Sequence, residues 1–112
     1  MADETALREL VEREVLAFDE VSRFADASLT ENITQAVLRR PANPSISIST
    51  DDDDAVTINL EIIVYYGVNI PQLCYDIQTR VKRDIQEMTD TEIRAVNIRV
   101  EGIDKRETDS KE

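Results

Sequence analysis

Four consecutive carboxylates, Asp51 to Asp54, form the densest set of potential ligands in the chain. Oxygen donors packed that closely suit a hard cation such as calcium or magnesium. A helix-loop-helix calcium loop, however, alternates its acids, turns on a glycine and ends on a distant bidentate glutamate, and none of these follows Asp54. The run reads as a solvated, self-repelling hairpin tip, with a divalent-cation or small-ligand sensor as the alternative function. Cys74 is the one thiol. It lies near the predicted start of a helix, where the dipole lowers a thiol pKa. It also lies on an apolar stripe, and free cysteine is among the most buried residue types, so core packing is the stronger reading. Glu12, Glu14 and Glu61 have no pocket pattern around them that would make a glycosidase pair. The chain has no histidine, which removes Ser-His and Cys-His nucleophile pairs, imidazole acid-base chemistry and the usual histidine zinc site. Gly67 and Gly102 are the two glycines, so there is no phosphate-cradling loop, no dinucleotide fingerprint and no GxxG loop for gripping RNA. No catalytic residue, metal ligand set or cofactor is assigned, and the expectation is a protein that is not an enzyme.

The charge balance narrows the partners. With 24 acidic and 13 basic side chains the net charge is −11. Nucleic acids and bare anionic lipid are held by clustered Lys and Arg, so neither is expected as a partner. The longest mostly apolar run, 62–68, is far shorter than the roughly 20 residues of a membrane span, so no direct insertion is expected. A lone cysteine and the absence of an apolar leader fit a reducing, cytoplasmic setting. One hundred and twelve residues, 41% of them apolar, suit one small domain.

Hydrophobic spacing supplies the elements. Leu7, Leu10, Val11, Val15, Phe18, Val21 and Ala25 recur at helical steps and predict one helix over 3–27. A second, shorter helix is predicted from Thr30 to Arg39, ended by Pro41 and Pro44. The period then becomes two. Residues 45–49 and 56–66 read as strands of an antiparallel hairpin around the acidic tip. Gly67 ends the second strand, and Pro71 sits in the first turn of a helix whose stripe is Ile70, Leu73, Cys74, Ile77, Val81, Ile85 and Met88. Residues 92–101 form a last strand with Val96, Ile98 and Val100 inward, closed by Gly102. The fold class is α+β, in the order α(α)ββαβ: a three-stranded mixed sheet with helices on one face, from a 1–104 domain followed by a charged disordered tail over 105–112. Ile63 and Tyr65 interrupt the polar face of the long strand, and with Asn97 and Arg99 they mark the expected interaction face.

The segment Val64-Tyr65-Tyr66-Gly67-Val68-Asn69-Ile70-Pro71, then Ile77-Gln78, Val81-Lys82, Met88-Thr89 and Val96 to Ile103 resembles the alkaline shock protein family, the Gls-type envelope stress response proteins of mainly Gram-positive bacteria. The family motif falls on Tyr66, Gly67, Ile70, Pro71, Gln78, Val81, Lys82, Asn97 and Gly102, read chiefly as fold-forming positions. Where the family has glycine after Met-Thr, this chain has Asp90. The resemblance implies a small acidic cytoplasmic protein without catalytic activity, tied to envelope stress. It also implies self-association into a homo-oligomer and recruitment to the membrane by a membrane-anchored protein partner. Together these make the expected function that of a scaffold acting through protein-protein interaction.

Overall fold

The computed structural model describes residues 4–25 and 44–106. Its elements run α1 (Glu4–Leu16), β1 (Val21–Phe24), β2 (Ile46–Thr50), β3 (Val56–Tyr65), α2 (Ile70–Thr89) and β4 (Ile93–Asp104). The second helix predicted over 30–39 lies outside the described residues.

β3 is the axis of the sheet. β4 pairs with it in parallel along one side, from Val56↔Ile93 to Tyr65↔Asp104. The other side is shared end to end by two short strands, both antiparallel: β2 against 56–60 and β1 against 62–64. The mixed sheet therefore has four strands rather than the predicted three, because residues 21–24 leave the first helix. α1 stops at Leu16, and the chain turns through hydrogen bonds from Phe18 N to Val15 O and from Val21 N to Phe18 O, each 3.1 Å. Val21 and Phe24 then enter the sheet across a register shift. That bulge puts two residues three apart on one face, which in the sequence is indistinguishable from helical spacing.

Both helices cover one face. Leu7, Val11 and Val15 of α1 and Leu73, Ile77, Val81 and Ile85 of α2 join a single core with Val21, Phe24, Ile46, Ile58, Leu60, Ile62, Val64 and Val96. The predicted stripe of α2 holds at its centre and loosens at its ends: Ile70 and Cys74 are half-buried, and Met88 is 58% exposed. The outer face of α2 carries opposite charges four residues apart. Arg80 does reach Asp84 at 3.6 Å, but Arg83 turns to Asp84 at 2.9 Å, and Asp76 accepts from Gln72. β4 runs past Gly102 to Asp104, three residues beyond its predicted end, with Gly102 paired to Ile63 of β3.

Backbone geometry accounts for the punctuation. Gly67 has φ +90°, a torsion that L side chains rarely adopt, with open space where a Cβ would point. Asn69 caps α2 by accepting from Gln72 N at 3.1 Å, and Pro71 follows in the first turn. Asp90, at φ 57° and ψ 33°, ends the helix in the left-handed conformation, and its N–H donates to Gln86 O. Glycine is the ordinary residue there. Asp90→Gly should stabilise the fold by about 1 kcal/mol by relieving that torsion. Gly67→Ala should cost about 1–2 kcal/mol for the same reason with the opposite sign. Urea titration followed by circular dichroism reads both, and opposite signs at the two positions are the expected result.

Candidate interaction surface

The face of the sheet turned away from the helices is polar and internally braced. β3 contributes Thr57, Asn59, Glu61, Ile63 and Tyr65, paired in register with Ala95, Asn97, Arg99, Gly102 and Asp104 of β4. Asn97 Nδ2 donates to Asn59 Oδ1 at 2.9 Å. Arg99 lies 3.0 Å from Glu101 and 3.8 Å from Glu61. All four residues expected to form an interaction face stand on this side. Asn97 and Arg99 are exposed, and Arg99 is the more open of the two ion-paired ends.

Ile63 and Tyr65 are placed differently from their neighbours. Ile63 is buried at 8% exposure although no helix among the described residues covers it. Tyr65 lies under Arg106, whose guanidinium carbon sits 4.2 Å from the ring centroid, a cation–π contact. Around them Asp104 reaches across β3 to β1, accepting from Ser22 Oγ at 2.6 Å and Arg23 Nε at 3.1 Å. Ser22 and Arg23 can both point this way because of the bulge that brings Val21 and Phe24 together on the other side. The hydroxyl of Ser22 and the charge of Arg23 hold the Asp104 carboxyl below its usual range. Neither Asp104 nor Arg106 was legible as a site residue, since both stand after the glycine expected to close the strand.

The acidic tip is committed to the fold. Asp51 Oδ1 accepts from Asp53 N at 2.9 Å and Ala55 N at 3.0 Å, and its Oδ2 takes Arg94 Nε at 2.6 Å. Arg94 is thereby the counter-ion that lowers the Asp51 pKa. Asp54 closes the turn at φ 66°. No group of three or more His, Cys, Asp or Glu side chains among the described residues is arranged to hold a metal ion. Burial pushes the Cys74 thiol up, away from the reactive range. No helix among the described residues is long and apolar enough to cross a membrane.

One buried carboxyl sits away from this face. Glu14 of α1 is wedged against α2, where Arg80 Nε donates to it at 3.0 Å and lies over the Phe18 ring at 5.4 Å. Burial, and then the neighbouring Asp84 carboxylate, raise the Glu14 pKa against the pull of Arg80. Asp84 is lowered, first by Arg83 and then by its hydrogen bond with Glu14.

Fold and surface together define a small α+β protein with a braced sheet face that no helix among the described residues covers. The chain matches the model of the alkaline shock protein 23 family, cell envelope-related function, over residues 3–105, and it belongs to that family. It is 38% identical over 58 residues to an uncharacterized protein of Streptococcus pyogenes, Spy1535, covering 52% of this chain and 45% of that one. It is 33% identical over 51 residues to an uncharacterized protein of Bacillus subtilis, YqhY, covering 46% and 38%. The chain thus spans less than half the length of these curated relatives. No solved structure matches it significantly.

A raised folded-state pKa means that Glu14 stabilises the fold below its unfolded value of about 4.3 and loses that contribution as pH rises through the folded value. Asp84 works in the opposite sense. Its contribution is present above about 3.9 and is lost as pH falls. Glu14→Gln keeps an acceptor for Arg80 and removes the buried charge. Denaturation midpoints should therefore lie above those of the parent chain at pH 7 and converge with them toward pH 4.

Proposed function

We propose that this protein is a non-enzymatic scaffold of the cell-envelope stress response, acting in the cytoplasm by binding a protein partner and by associating with itself. The partner is taken to be a membrane-anchored protein that recruits the chain to the membrane, since a net charge of −11 opposes direct attraction to anionic lipid. The observation that carries this reading is the sheet face that the described helices leave open. It presents Asn97 and Arg99 beside the braced Tyr65, on a rigid strand pair rather than on loops. Rigid, pre-ordered side chains bind with less loss of conformational entropy than flexible ones. The family's envelope-related function supports the cellular setting.

The partner-binding half of the reading is tested by placing a photo-crosslinking amino acid at Asn97 and recovering adducts from the membrane fraction of the native cell. A defined adduct should form with the parent chain and fall by about tenfold, near 1.4 kcal/mol of binding, when Tyr65→Glu and Arg99→Glu are introduced together. An adduct of the same yield in that double variant would reject the open face as the partner site. Light scattering over a wide protein concentration range tests self-association independently, and a strict monomer at millimolar concentration would remove it.

A further inference from the structure

The sheet face that the described helices leave open divides into two zones of different chemistry. Toward the end of β3 that carries Tyr65, charges come in pairs. Arg99 stands 3.0 Å from Glu101 and 3.8 Å from Glu61, and Arg23 stands 3.1 Å from Asp104. Toward the acidic tip the charges stop. Ser47 and Ser49 of β2 lie in register with Asn59 and Thr57 of β3, and these in turn with Asn97 and Ala95 of β4. Two cross-strand rows are thus filled by small side chains, none of them ionisable. Beyond them Arg94 closes the zone, matched by Asp51 at 2.6 Å.

The polar groups of this neutral zone are not consumed by the fold. Asn97 Nδ2 donates to Asn59 Oδ1 at 2.9 Å, which leaves the Asn59 amide nitrogen as a donor and the Asn97 amide oxygen as an acceptor. Among the described residues neither takes another partner, and the hydroxyls of Ser47, Ser49 and Thr57 make no hydrogen bond. Ser47, Ser49 and Asn97 are exposed, while Thr57, Asn59 and Ala95 are half-buried.

The unmatched charge of the chain lies elsewhere. Glu9 and Glu12 of α1 and Asp52 and Asp54 of the tip have no ion pair among the described residues. A basic partner is drawn to those carboxylates, and an acidic one is repelled by them. The neutral zone suits neither, and the centres of protein interfaces are depleted of charged side chains. We propose, resting on the protein-partner reading above, that this zone is the centre of the partner contact and takes an uncharged, amide-bearing surface of that protein. A carboxamide side chain carries a donor and an acceptor together, the complements of the two groups that the Asn59–Asn97 pair leaves open. Strands lie about 4.8 Å apart, so the zone accepts the ends of two or three such side chains. The ion pairs of Arg99, Arg23 and Arg94 then form the rim, where charge stays hydrated. A charge pressed onto the centre would lose its water and find no counter-charge.

A photo-crosslinking amino acid at Ser49, in the full chain mixed with the membrane fraction of the native cell, reads the contact. The adduct yield should change by no more than about twofold between roughly 0.05 and 0.5 M salt, although that range shortens the screening length about threefold. Ser47 is exposed on a short strand, so a charge placed there leaves the fold intact, which urea midpoints check. Ser47→Asp and Ser47→Lys should each lower the yield about tenfold, because an uncharged amide surface gains from neither sign. A charged partner would instead lose with one and gain with the other. Three results overturn the neutral zone as the contact while leaving a protein partner standing. They are a yield that shifts about tenfold with salt, a yield that either Ser47 substitution raises or leaves unchanged, and an adduct from Asn97 with none from Ser49. No adduct from either position would overturn both.

Discussion

The aliphatic row of β3 is the constraint on which the rest of the molecule depends. Ile58, Leu60, Ile62 and Val64 are each at most 1% exposed, and among the described residues no other element has neighbours on both edges and one face. Removing that row from water requires cover, at a gain of roughly 25 cal/mol per Å² of apolar surface. α2 supplies the main cover through its continuous stripe, and α1 supplies the remainder through Leu7, Val11 and Val15. The parallel pairing of β3 with β4 follows from the same requirement. A helix that leaves the end of β3 and packs back over the sheet must deliver the next strand in the same direction.

Among the described residues one face of the sheet takes both helices, and the other is braced by its own side chains. Short polar contacts there link strands distant in sequence: Asn59 with Asn97, Glu61 with Arg99, and Asp104 with Ser22 and Arg23. Exposed pairs of this kind contribute little to stability individually. Their effect is positional. They hold Tyr65 and Arg99 in fixed places on the strand pair.

The −11 charge is distributed in a way that fits such a surface. Asp51 is paired with Arg94, Asp104 with Arg23, and Glu14 with Arg80. The acidic tip that first suggests a cation site is thus a turn in which a carboxylate substitutes for a missing backbone acceptor. Much of the family motif is likewise structural in this chain. Gly67 provides a left-handed torsion, Gln78 binds the Val96 carbonyl, Val81 fills the core, and Gly102 makes room for Ile63. Asp90 occupies a left-handed helix end that glycine would adopt without strain.

Periodicity in the sequence was sufficient to locate α2, the β2–β3 hairpin and most of β4, because each buries one face and the spacing of apolar residues is set by that burial. It also separated the two faces of β3, and with them the side on which Ile63, Tyr65, Asn97 and Arg99 stand. It could not find β1. A bulged strand places Val21 and Phe24 on one face at a spacing that a helix would also use, and the choice between them is made by pairing with Val64 and Ile62 some forty residues away. Nor could it find Asp104 or Arg106, whose roles arise only when β1, β3 and β4 lie side by side. Local periodicity records what a segment buries. Which segments meet, and which polar groups are thereby brought within hydrogen-bonding distance, is settled by the tertiary structure, because those contacts join residues with no fixed separation along the chain.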